Sequence, residues 1–294
     1  MENRMDKNRN RSKWLLIAAI LICTELFTVS VLKVDIFARA PKNTGDYGVF
    51  LNADSDDIKE MHGFSTVVID AFENSAEDVA LLHSKGCAVY SYINVGSIEN
   101  WRSYYERYKH LAIGKYEHWE DEEWVNVSDK SWQDFVVNEL AKTISDNGAD
   151  GFFVDNADVY YKYPSDDIYY GLVNIMTGLK GYGKPVIING GDNFVSRLIR
   201  EEKSGIITGV NQESVFTRIK NYKKDRFGKQ KKSDREYFQE YLAECKGAGL
   251  DVYLLEYTKS RRLVERIRKY CAENGFKYYV SDSLGLKWSE KALK

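Results

Sequence analysis

The stretch GADGFFVDNADVYY, residues 148–161, runs an apolar segment straight into two carboxylates and an amide: Asp155, Asn156 and Asp158. Similar endings recur along the chain. Other apolar runs carry or end in Asp70; in Tyr92, Asn94 and Glu99; in Asn189; in Asn211, Gln212 and Glu213; in Glu256 and Tyr257; and in Asp282. Each taken alone reads as a helix cap or a turn residue. As a set they exceed what turns require. There is no catalytic serine motif, no cysteine nucleophile and no histidine cluster. Carboxylates accompanied by amides and tyrosine hydroxyls fit glycoside hydrolysis, in which two carboxyl groups flank the scissile bond and one acts as acid. Asp155 and Glu213 are the candidate pair. Glu213, in an apolar corner beside Phe216, suits an acid/base. Asp155, with amides around it, suits an ionised nucleophile. Asp70, Tyr92, Asn94, Glu99, Asn156, Asp158, Asn189, Asn211, Glu256 and Tyr257 are assigned to substrate binding. A competing role for Asp155 is to bind a metal together with Asp158, but no third ligand follows at a fixed spacing. Neither metal nor cofactor is expected.

These residues act together only if the fold brings them to one rim. Eight strand patterns occur, at residues 45–52, 64–72, 87–96, 149–158, 184–191, 204–214, 250–258 and 276–283. Helical patterns lie between most of them, at 75–86, 131–148, 166–183, 194–202, 234–249 and 260–275. Ser75 is placed to cap the first of these helices and Gly86 to close it. The strands are continuous apolar runs, as a parallel sheet buried on both faces requires. The alternation predicts an α/β fold, a (β/α)8 TIM barrel, as a single domain over residues 41–294. In such barrels, sites form at the C-terminal ends of the strands, where the polar residues fall. A doubly wound open sheet is the alternative, but no Gly-rich phosphate fingerprint follows the first strand.

Composition sets the outer bounds. The chain has 294 residues, 44% hydrophobic and 29% charged, which is ordinary for a globular protein. Residues 1–40 differ from the rest. A basic segment, MENRMDKNRNRSK, precedes the apolar run WLLIAAILICTELFTVSVL and an A-x-A-like ending at Ala38 and Ala40. This reads as an export signal, either cleaved near Ala40 or retained as a membrane anchor. Glu25 inside the run disfavours a stable span. The protein is expected outside the cell or at its surface, touching a membrane only through that segment if it is uncleaved. The leader is basic and the whole chain carries a net charge of −2, so the remainder is acidic. That argues against a nucleic-acid partner. Beyond the leader lie Cys87, Cys245 and Cys271, an odd number without metal spacing. A monomer is expected.

The blocks VVIDAF, AVYSYINVGSIENWR, WVNVSD, GADGFFVDNADVY and GVNQESVF resemble glycoside hydrolase family 114, the endo-α-1,4-polygalactosaminidase-like barrels. The likeness runs from about Gly45 to the end of the eighth strand. The family's G-x-x-E-x-W stretch is matched by Gly96, Glu99 and Trp101, and its D-N-x-D stretch by Asp155, Asn156 and Asp158. Its N-E-E-type stretch falls on Asn211, Gln212 and Glu213, so Gln212 departs from it. The resemblance implies Asp155 as nucleophile, Glu213 as acid/base and a polysaccharide substrate, α-1,4-linked galactosamine, which is cationic. Retention of configuration is the expected outcome. The alternative is an inactive barrel that binds cell-surface glycan, suggested by Gln212 and by the basic run RIKNYKKDRFGKQKKSDR at 218–235. That run reads as a solvated helix start, and the acidic run EHWEDEEW at 117–124 as a loop near the mouth.

Overall fold

The computed structural model describes residues 42–117 and 119–293. The leader expected over residues 1–40 lies outside the described residues. Eight parallel strands follow in sequence order around one sheet. They are β1 (Gly48–Val49), β2 (Thr66–Ile69), β3 (Ala88–Asn94), β4 (Gly151–Asp155), β5 (Val186–Asn189), β6 (Gly209–Glu213), β7 (Asp251–Tyr257) and β8 (Lys277–Ser281). Each expected strand segment contains one of them. This is the (β/α)8 barrel. Among the described residues, no helix is long and apolar enough to cross a membrane.

The helices form where the spacing placed them. Ser75 caps Ala76–Ser84 through a reciprocal box with Asp78. Ser165 caps Asp166–Lys180, which buries Ile168, Leu172, Ile175, Met176 and Leu179 against the sheet. The pattern at 131–148 becomes a helix with a π-helical turn at Val136–Leu140 in its middle. The core is continuous and rich in aliphatics from all eight strands, including Val67, Ile93, Val154, Ile188, Val210, Leu254 and Val280.

Two segments depart from expectation. The acidic run ends in a strand, Glu122–Val125, which pairs antiparallel with Ser97–Glu99 and with Ala112–Lys115. The basic run forms a hairpin, Thr217–Asn221 with Arg226–Lys229, not a helix start. Its strands alternate: Ile219 and Phe227 pair and turn inward, while Lys220, Arg226 and Lys229 are exposed. Basic residues on the outer face hide this period-two pattern in the sequence.

The seam between the first and last strands is closed by side chains. Asn43 Nδ2 donates to the Val280 carbonyl at 3.2 Å and to the Ala292 carbonyl at 2.7 Å, and Asn43 Oδ1 accepts the Val280 N–H at 2.7 Å. One buried amide thus satisfies both backbone groups of a β8 residue. Asn43→Ala strips both, and a buried unmade hydrogen bond costs about 1–3 kcal/mol. The expected result is a lower midpoint in urea with an unchanged slope; an unchanged midpoint counts against this role.

Candidate active site

A cavity of about 770 Å³ opens at the C-terminal ends of the strands. Strand alternation decides which residues reach it. Tyr92 and Asn94 pair with Phe153 and Asp155, Asn189 with Asn211, and Asn211 with Tyr253. Paired residues share a face, so Asp155, Asn189, Asn211, Glu213 and Tyr257 all point into the barrel. Glu256 has the opposite parity and points out of it.

Asn189 stands at the centre. Its Nδ2 donates to Asp155 Oδ1 at 2.9 Å and to Glu213 Oε1 at 2.9 Å. Those two carboxylate oxygens therefore lie no further apart than twice that distance. The amide is held by a relay beneath it. Asn211 Nδ2 donates to Asn189 Oδ1 at 2.6 Å, and the Tyr47 hydroxyl donates to Asn211 Oδ1 at 3.1 Å. An ionised carboxylate only accepts, so Asn189 presents its N–H groups to the pair, and this fixes both amides in turn. The Tyr257 hydroxyl donates to the other Glu213 oxygen at 2.9 Å.

The electrostatics follow from burial. Asp155 is pushed well above the ordinary carboxylate range by desolvation and then by repulsion from Glu213; the Asn189 bond opposes this without cancelling it. Desolvation also raises Glu213, against its bonds from Asn189 and Tyr257. The amide expected to keep Asp155 ionised is present, in Asn189, but it is opposed by burial and by the second carboxylate. The pair titrates as a unit.

The other candidates divide into wall and support. Asp158 lines the cavity, accepts the Gly191 N–H at 3.1 Å, and is raised to about 6 by burial. Gly190 and Gly191 both have positive φ, and a Cβ on Gly190 would meet the Asp158 carboxylate at 2.6 Å. Asn156 (φ 64°) lines the cavity and turns its Nδ2 to Asn94, Ser97 and Glu122. Gly96 makes this possible, since a Cβ there would lie 1.8 Å from the Asn156 carbonyl. Asp70, Glu99 and Tyr92 line the cavity around Arg102, whose Nη atoms reach Asp70 at 2.8 Å, Glu73 at 3.0 Å and Glu99 at 3.3 Å. The Tyr92 hydroxyl donates to Glu99 at 3.2 Å.

Three candidates do not line the cavity. Asn211 lies beneath Asn189, and Asn94 is covered by Glu122 and Asn156. Glu256 is fully buried on the outer face of β7. It accepts the N–H groups of Phe216 and Thr217 at 2.8 and 3.0 Å and the Thr217 hydroxyl at 2.5 Å, with its pKa raised to about 7 by burial. It anchors the base of the hairpin. Sequence reasoning also missed cavity residues, namely Glu122, Tyr116, Arg102 and the hairpin's Ile219, Tyr222 and Lys223. The only signal for Glu122 was its place in an acidic run.

The hairpin spans the mouth. Asp225, at its turn, accepts from Ser283 Oγ at 2.7 Å and from the Leu284 N–H at 3.1 Å, in the loop after β8. On the other side, Lys223 pairs with Glu120 at 3.0 Å, and Tyr222 meets the edge of Trp119. Phe227 stacks on Tyr257, so the hairpin also packs on the residue that holds Glu213.

A pair of half-buried carboxylates at the C-terminal mouth of a (β/α)8 barrel is the arrangement of a glycoside hydrolase. The comparisons with known proteins agree: the family model for glycoside hydrolase family GH114 matches residues 35–284, and the chain belongs to that family. Among solved structures, the chain is similar to the glycoside hydrolase domain of PelA from Pseudomonas aeruginosa (16% identity, covering 84% of this chain and 97% of that one, TM-score 0.66). It is also similar to Ega3 from Aspergillus fumigatus, solved in complex with galactosamine (15% identity, 85% and 96%, TM-score 0.65). The α-galactosidase TtGalA from Thermus thermophilus aligns more loosely (8% identity, 85% and 60%, TM-score 0.53). At these identities the likeness is one of fold. A search of curated proteins found no match.

Glu256→Gln sets an amide N–H against one of the two backbone N–H groups, of Phe216 or Thr217, that can only donate. A loss of about 1–3 kcal/mol in stability is expected, measured by chemical denaturation, with earlier proteolysis within 217–229. Wild-type stability and cleavage would remove Glu256 as the hairpin's anchor.

Proposed function

We propose that this enzyme hydrolyses a galactosamine-type polysaccharide with net retention, using Asp155 as nucleophile and Glu213 as acid and base. The observation that carries the reading is the single Asn189 nitrogen shared by both carboxylates. Its geometry caps the separation of their nearest oxygens below the roughly 6.5–9.5 Å of inverting enzymes and near the ~5–5.5 Å of retaining ones. An inverting water does not fit between groups that close.

In the first step Asp155 attacks the anomeric carbon, the glycosidic C–O bond breaks, and Glu213 gives its proton to the departing oxygen. In the second, Glu213 takes a proton from water, whose oxygen displaces Asp155 from the sugar. Two carboxyl groups this close and this desolvated favour one shared proton. A 2-amino sugar supplies the asymmetry. Its ammonium is one carbon from the anomeric centre, so it lies nearest the attacking carboxylate and favours charge there, leaving the proton on Glu213. The cavity wall supports a cationic substrate: Asp70, Glu99, Glu120, Glu122 and Asp158 surround the pair, and Arg102 is already shared among three acids. Such a mouth raises the local concentration of a polycation. Export of the chain, and any membrane contact, rests on the composition of residues 1–40.

Asp155→Asn and Glu213→Gln should each lower release of reducing ends from de-acetylated galactosamine polymer by at least the ~10²–10⁴-fold that acid–base catalysis supplies; normal turnover in both sinks the assignment. The first product should keep the substrate's anomeric configuration by NMR, and inversion would exclude Asp155 as nucleophile. The pH profile of kcat/KM should be a bell. Asp155 must be ionised and is raised, so the acid limb should lie above the ordinary Asp value of ~3.9. Glu213 must hold its proton, so activity should fall again as it ionises. A rate that is flat down to that ordinary value would contradict the burial argument.

A further inference from the structure

The sheet inserted after β3 sets Glu99 directly opposite Glu122 across an antiparallel pair. Residues so paired project from the same face, and like charges there are destabilising. Both line the cavity. Arg102 approaches Glu99 only at 3.3 Å and is shared with Asp70 and Glu73.

Each carboxylate has one oxygen used and one unused. Glu122 Oε1 accepts from Asn94 at 3.0 Å, Asn156 at 2.8 Å and the Ser97 hydroxyl, whereas among the described residues no hydrogen bond reaches its Oε2. Glu99 Oε1 accepts from Tyr92 and Arg102, whereas its Oε2 is buried without a partner, on a side chain only 9% exposed. A buried acceptor left unpaired carries a free-energy cost that a ligand can remove. Burial raises Glu122, and Glu99 adds to the rise, which fits two carboxylates close enough to repel. Asn156 ties this pair to the candidate centre, since it bonds Glu122 and follows Asp155 in the chain.

We propose that Glu99 and Glu122 form an ammonium-binding subsite beside the catalytic pair, which takes the protonated amine of a 2-amino sugar. This rests on the amino-sugar reading above and names the residues that enforce it. An ammonium is a compact charge with three donors and can serve both unused oxygens at once. A sugar hydroxyl has one donor and no charge. A divalent cation such as Ca²⁺ needs about six to eight oxygens, more than are free here. An N-acetyl group removes the charge and two of the donors and adds bulk, so the subsite discriminates against it.

The test compares full-length wild type, Glu99→Gln and Glu122→Gln on fully de-acetylated and partly N-acetylated galactosamine oligomers. Each variant should lose about 10–100-fold in kcat/KM on the de-acetylated oligomer, mainly through KM, as expected for loss of a charged hydrogen bond. Cleavage at N-acetylated units should change little, so the preference between the two collapses. Folded variants that keep the wild-type preference would overturn the proposal. Should both variants fail to fold, wild type decides: galactosamine should raise the melting temperature at concentrations where galactose and N-acetylgalactosamine do not, and the effect should fade as the sugar amine loses its proton. Equal protection by all three sugars also overturns it. A wild type that cleaves no galactosamine polymer would count against the substrate reading, while the melting comparison would still decide the subsite.

Discussion

One amide nitrogen holds two half-buried carboxylates together at the mouth of the barrel. That constraint organises the rest of the site. Two buried acids this close cannot both ionise cheaply, so the bridge from Asn189 must be rigid and correctly oriented. Asn211 and Tyr47 orient it from below, and Tyr257 holds the far oxygen of Glu213. The barrel supplies these partners from β5, β6, β7 and the approach to β1. No single element could, because the bonds run sideways around the ring.

The two insertions serve the same centre from above. The sheet after β3 brings Glu99 and Glu122 to the wall, and the hairpin after β6 brings Ile219 and Tyr222 to the roof. The tip of the hairpin is secured on two sides, to the loop after β8 through Asp225 and to the β3 insertion through Lys223 and Glu120. The Lys223–Glu120 pair is exposed and screened by water and salt, so it contributes little to stability. The hairpin's hold comes instead from Glu256 and from Phe227 on Tyr257. A hydrogen-bonded pair below and an acidic wall above are what the proposed polycationic substrate would require.

Local patterns made the barrel legible. The runs VVI, GFFV, PVII and YLL are too apolar to be anything but buried staves, and Ser75 marks a helix start by its own chemistry. The rim residues Asp155, Glu213, Asn189 and Tyr257 were legible as a set, because turns and helix caps alone do not require polar residues at the end of nearly every apolar run. Glu256 was misjudged because adjacent residues on a strand point opposite ways, and the sequence does not say which of Glu256 and Tyr257 points in. Asn211 lies beneath Asn189, and Asn94, level with Asp155, is covered by Glu122 and Asn156, contacts that local sequence does not reveal. Glu122 was hidden because its partner strand, Ser97–Glu99, is only three residues long and lies over twenty positions away. Pairing of that kind leaves almost no local trace.

The central claim is that Asp155 bonds to the sugar. The direct measurement is to incubate the enzyme with a fluorinated 2-amino-galactoside bearing a good leaving group, digest it, and locate the added sugar by peptide mass spectrometry. The expected result is one glycosyl adduct on the peptide containing Asp155, absent from the Asp155→Asn variant. An adduct on Glu213, or rapid release of the leaving group with no adduct on either carboxylate, would contradict it.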